Sequence, residues 1–139
     1  MSLEYQIIDH TADMGIVVKA HSLKNLFINS AKVMIDLMIQ GGVKGKTEVR
    51  EIVIEGKDFP DLMVRWLGEI LYLFYGENLI GSSTEIKSLS RSRIKAYVEF
   101  VEFVPEYYEI LREIKAVTYH RISVEKIGDT WQAMVIFDV

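Results

Sequence analysis

Between Asp58 and Gly76 the chain places Leu62, Met63, Trp66, Leu67, Ile70, Leu71, Leu73 and Phe74 at helical spacing. That apolar set is broader than one stripe, so the helix must be covered on more than one side. Pro60 sits in the first turn and Asp61 beside the positive end of the dipole, while Gly76 is the expected stop. A second helix starts at Ser22, a good N-cap. It carries Leu23, Leu26, Phe27, Ser30, Ala31, Met34, Leu37 and Met38 on one face until Gly41-Gly42. Elsewhere the period shortens to two, as in Ile94, Ala96, Val98 and Phe100 against Lys95, Tyr97 and Glu99. Strands are expected over about 3–9, 14–20, 47–55, 84–90, 93–103, 115–126 and 131–138, with Gly128-Asp129 turning the last pair and Gly81-Ser82-Ser83 a loop. The expected fold is α+β, two helices packed on a largely antiparallel β-sheet.

Bulk properties narrow the function classes. A chain of 139 residues fits a single domain spanning 1–139, able to bury roughly 70% of its unfolded surface. Arg65 and Glu69 interrupt the most apolar segment, so no membrane span is expected. The opening Met1-Ser2-Leu3-Glu4-Tyr5 lacks a basic signal region, and the absence of cysteine excludes disulfides and thiolate metal sites. Both fit a cytoplasmic location. A net charge of −4 disfavours binding led by nucleic-acid phosphates.

Two acidic corners remain to be explained. Asp138 stands inside Val135-Ile136-Phe137-Asp138-Val139, where an acid in an apolar strand needs a cation, N–H donors or water. The α-carboxylate of Val139 is one residue away. Asp13 lies in His10-Thr11-Ala12-Asp13-Met14-Gly15 near the start. If the first and last strands meet, Asp13 and Asp138 can share one hard divalent ion. Continuing the hairpin from Gly128-Asp129 sets Asp138 opposite Tyr119 and Phe137 opposite His120. Lys115 would then lie about 13 Å further along at the usual rise of ~3.3 Å per residue, out of reach of that ion unless the strand bends.

Four segments together resemble the archease family. They are His10-Thr11-Ala12-Asp13-x-Gly15, Asp61-Leu62-x-x-x-Trp66-Leu67-x-Glu69-x-Leu71-Tyr72-Leu73-Phe74, Glu113-Ile114-Lys115-Ala116-Val117-Thr118-Tyr119-His120 and Val135-Ile136-Phe137-Asp138-Val139. They run in family order over nearly the whole chain. The resemblance implies a protein cofactor of the RtcB-type RNA ligase, which joins RNA ends in tRNA splicing and RNA repair with GTP and divalent metal. Such a cofactor accelerates guanylylation of the ligase's active-site histidine, permits multiple turnover and has no catalysis of its own. Contact with RNA would be indirect, through the ligase. It further implies metal binding by Asp13 and Asp138, with Val139 beside them, and a functional lysine at Lys115 that contacts partner or nucleotide. His10 and His120 become candidates for orienting those groups. The approach to the lysine differs from many members: Val104-Pro105-Glu106-Tyr107-Tyr108-Glu109-Ile110-Leu111-Arg112 lacks the usual Gly and His and is shorter.

An oxygen-only donor set suits Ca²⁺, Mg²⁺ or Mn²⁺ better than Zn²⁺. On residue types alone, blander roles also fit. Asp13 can form a turn with the N–H groups of Met14 and Gly15, Asp138 can be a solvated chain end, and Lys115 an exposed strand lysine. His10 and His120 fit as hydrogen-bonded structural histidines, and Trp66, Tyr72 and Phe74 as core. Two other functions stay open. One is a small metal-dependent phosphoester hydrolase using Asp13, Asp138 and His10 or His120, although no nucleophile–base pair or Gly-rich phosphate loop is visible. The other is a chaperone-like binding module with only a structural ion.

Overall fold

The computed structural model describes residues 3–9, 13–41 and 45–139. The fold is α+β, and every strand pairing is antiparallel. Strands β1 (Glu4–Asp9) and β2 (Asp13–Ala20) lead into helix α1 (Leu23–Met38), followed by a short β3 (Ile39–Gly41) and β4 (Thr47–Glu55). Helix α2 (Phe59–Glu77) precedes β5 (Leu79–Leu89) and β6 (Arg93–Glu102). The chain closes with β7 (Tyr108–Ile110), β8 (Ala116–Val117), β9 (Ser123–Ile127) and β10 (Thr130–Asp138).

Both helices start where their caps dictate. The Ser22 side chain accepts from the Asn25 N–H, and the Asp58 side chain accepts from the Asp61 N–H, with Pro60 in the first turn of α2. Their ends differ from expectation. Helix α1 stops at Met38 because Ile39 turns extended and pairs with β7, so Gly41 belongs to a strand, and Gly42 lies outside the described residues. Helix α2 passes Gly76, ends at Glu77 and is capped by Asn78 at a left-handed φ of 57°.

Among the described residues the expected single sheet is divided into three. Strands β1, β2, β10 and β8 form one path, with β9 also on β10; β4, β6 and β5 form a second sheet, and β3 and β7 a small third. Both helices touch strands of both larger sheets, which explains why α2 is apolar on several faces. Its Trp66 is fully buried and donates its indole N–H to Phe27 O at 2.9 Å, tying α2 to α1. Strand alternation puts Met14, Ile16 and Val18 of β2 and Ala133, Val135 and Phe137 of β10 into the core. Phe74 is core as expected, but Tyr72 is not: it is 62% exposed, on the face of α2 that neither sheet covers. Gly81-Ser82-Ser83 is strand rather than loop, lying in β5 where a bulge shifts its register against β6.

Candidate metal and partner site

The last strand lies directly against the second. Along β2 and β10 the register runs from Ala20 opposite Trp131 to Asp13 opposite Asp138. Residues directly opposite in an antiparallel pair share a face, with Cβ atoms about 4.5–5.5 Å apart. Since Met14 and Phe137 point into the core, the two aspartates occupy the outer face; Asp138 is exposed and Asp13 partly so. The two carboxylates thus stand on one face at the strand end, where a cation could lie between them. The donor set, carboxylates supplemented by carbonyls and water, fits a hard divalent ion. Among the described residues no group of three or more His, Cys, Asp or Glu gathers closely enough to hold a metal. Such an ion would therefore draw on two side-chain acids, an oxygen of partly buried Val139, and water.

The lysine strand corrects the expected register. Strand β9 follows the hairpin reading, with Thr130 opposite Ile127 and Trp131 opposite Lys126. The ladder then jumps: Asp138 faces Ala116 and Phe137 faces Val117, not Tyr119 and His120. The Lys115 N–H donates to Asp138 O at 2.7 Å, so Lys115 is a neighbour of the acidic corner rather than 13 Å beyond it. Its side chain is exposed. His120 stands exposed in the turn after β8, its backbone N–H reaching Thr118 Oγ1 at 3.3 Å. His10 lies outside the described residues.

The divergent segment has a clear structural task. Its Tyr108–Ile110 stretch pairs with β3, and the N–H groups of Leu111 and Arg112 reach Met38 O at 2.7 and 3.4 Å. Arg112 Nη1 then contacts Met14 Sδ at 3.0 Å, one residue from Asp13. The segment thus closes the end of α1 and delivers the chain to the corner.

A second cluster, of which the sequence shows only a helix-start acid, lies at the far end of the Lys115–Tyr119 stretch. Asp61 is 8% exposed, and its carboxylate accepts from Tyr119 O–H at 2.7 Å, Lys57 N–H at 2.8 Å and Arg65 Nε–H at 3.0 Å. These donors, led by Tyr119, hold the Asp61 carboxyl below the usual carboxylate range although burial opposes them. The same bond pushes the Tyr119 phenol up. The visible signal was Asp61-x-x-x-Arg65, an acid four residues before a base. Nothing in the sequence pointed to Tyr119 as its third member.

A profile of the Archease protein family matches residues 5–139. The chain belongs to the archease family. It is 33% identical over 141 residues to a protein archease of Methanosarcina acetivorans, covering 98% of this chain and 96% of that one. It is 34% identical over 137 residues to a protein archease of Pyrococcus abyssi, with 94% and 95% covered. Among solved structures, protein 1598 of Methanobacterium thermoautotrophicum superposes with a TM-score of 0.74 at 25% identity, covering 97% of this chain and 98% of that one. A Thermotoga maritima archease, described as a possible chaperone, shares the fold with a TM-score of 0.68 at 23% identity, covering 95% and 94%. The segments that resemble the family include the acidic corner, the Lys115 stretch and Asp61. No helix among the described residues is long and apolar enough to cross a membrane.

Proposed function

We propose that this archease is a non-catalytic protein cofactor of an RtcB-type RNA ligase, promoting the ligase's guanylylation and multiple turnover in tRNA splicing and RNA repair. The observation that carries the reading is the meeting of Asp13 and Asp138 across β2 and β10 with the Lys115 backbone bonded to Asp138. Three residues from distant parts of the chain, each in a family motif, converge on one exposed corner. Asp13, Asp138 and an oxygen of Val139 would hold Ca²⁺, Mg²⁺ or Mn²⁺ there. A bound ion would supply positive charge able to stabilise phosphoryl oxygens at the ligase's nucleotide pocket. Lys115 offers a mobile cation beside it, suited to a triphosphate or an acidic surface of the partner. RNA is met through the ligase, consistent with a net charge of −4.

A time course of guanylylation of the cognate ligase, with and without this protein, tests the reading. Wild type should accelerate it and allow repeated ligation, whereas Asp13→Asn, Asp138→Asn and Lys115→Ala should each lose most of the acceleration while remaining folded. Unchanged multiple-turnover ligation on adding wild type would overturn the proposal. Phosphoesterase turnover by the isolated protein with Mn²⁺ would replace it with the hydrolase.

A further inference from the structure

One edge of β10 is shared by two strands that do not follow one register. Strand β9 covers Thr130–Met134 and β8 covers Phe137–Asp138. Between Val117 and Ser123 the chain leaves the ladder and returns three residues out of step, so that Ala116 stands where Tyr119 would otherwise be. Thr118 marks the departure, with both its N–H and its hydroxyl on Ile136 O at 3.0 and 2.8 Å. The excursion contains Arg121 at φ 53°, a left-handed conformation that costs a non-glycine residue free energy and persists only when the surroundings hold it.

We infer that Tyr119 and Asp61 form a latch that sets this register and thereby holds Lys115 beside Asp138, making both positioning residues of the acidic corner. Among the described residues, the Tyr119 O–H to Asp61 Oδ1 bond is the one side-chain hydrogen bond from residues 119–122 to another element. Its anchor is firm. The Asp61 carboxylate is also gripped by Lys57 N–H and Arg65, at the start of a helix whose Leu62, Met63 and Trp66 are fully buried. A second tie holds the other end of the same segment, where Tyr75 O–H donates to Ile114 O at 2.8 Å. Lys115 and β8 are therefore strung between two tyrosine bonds to opposite ends of α2. If the latch opened and β9 pairing ran on, the slip of three residues would set Tyr119 opposite Asp138 and carry the Lys115 N–H about 10 Å away from Asp138 O, past the end of β10. Val117 would lose its place opposite Phe137 and have no partner left on β10. The fold therefore has one good docking of β8, and Tyr119 selects it.

The latch stands on geometry; only its consequence for the ligase rests on the proposed function. Tyr119→Phe keeps the ring and removes the hydroxyl, at a residue that is 56% exposed, so the variant should fold. Amide hydrogen exchange by NMR should quicken roughly tenfold or more at Lys115 and Thr118, the scale for losing a hydrogen bond to a charged group, while amides of β2 and β9 change little. Asp61→Asn should loosen the same two amides. In the guanylylation assay, Tyr119→Phe should lower stimulation in the wild-type background but add no further loss to Lys115→Ala, because it acts through Lys115. Unaltered exchange at Lys115 and Thr118 in folded Tyr119→Phe would overturn the latch, and so would fully additive losses in the double variant. If wild type fails to stimulate the ligase, the functional reading falls and the exchange comparison still decides the latch.

Discussion

Asp61→Asn changes one atom type in a carboxylate that accepts from three donors. Its amide retains a single acceptor oxygen. With that oxygen kept on Lys57 N–H, the amide nitrogen faces Tyr119, whose hydroxyl must turn round to accept. Two charge-assisted bonds become neutral ones, at about 1 kcal/mol each, and a helix-start charge disappears at about 0.3–1 kcal/mol. Arg65, half exposed, adds little. The expected loss is about 2–3 kcal/mol. For 139 residues, about 2.1 cal/mol/K per residue gives a transition entropy near 0.29 kcal/mol/K, hence a Tm lowered by about 7–10 °C. The pH dependence has a definite sign. Because the folded Asp61 carboxyl is held below its ordinary value, its contribution is complete above the unfolded pKa of about 3.9 and is lost as pH falls through the folded value. Urea denaturation of both proteins from pH 7 downwards should show the full gap at neutrality and a closing gap below about pH 4. A gap that is constant with pH, or that widens in acid, would refute the assignment of Asp61 as a depressed, stabilising carboxylate.

Three further outcomes follow from the same structure. Trp66→Phe should lower stability by about 2 kcal/mol, through lost volume and an abandoned bond to Phe27 O, read as a lower urea midpoint with unchanged slope. Gly41→Ala should cost about 1–3 kcal/mol, since φ is 156° and the new Cβ would strike Tyr107 O across the β3–β7 pair; NMR shift changes should centre on those strands. A divalent ion at about 100 times its Kd should stabilise wild type by about 2.7 kcal/mol, or about 9 °C in Tm, and Asp138→Asn should abolish the increment.

The helices were legible because their signals are local. Ser22 and Asp58 cap where they should, and the period of the apolar residues reads directly as burial. The meeting of Asp13 with Asp138 was also within reach, because an acid inside an apolar terminal strand asks for a partner. What was hidden depends on tertiary competition. Helix α1 gives way to a strand at Ile39, before the expected Gly41-Gly42 stop, because β7 offers backbone partners that no local propensity records. Tyr72 has the residue type of a core position, yet it lies three and seven residues from Glu69 and Arg65, on the face of α2 that neither sheet reaches. The jump between β9 and β8 misled the hairpin reading, since the bond that holds it joins residues 58 positions apart. Uninterrupted hairpin pairing therefore puts Lys115 too far from the acids, and the sequence alone shows only part of the Asp61 cluster.

The most direct measurement is paramagnetic broadening of backbone amide signals during titration with Mn²⁺. If the two strand ends hold one ion, signals of Asp13, Lys115, Ala116 and Asp138 should vanish first and together, with β4 and the start of α1 untouched, and Asp13→Asn should remove the effect. Broadening that begins elsewhere on the surface, or that persists in Asp13→Asn, would contradict the shared site.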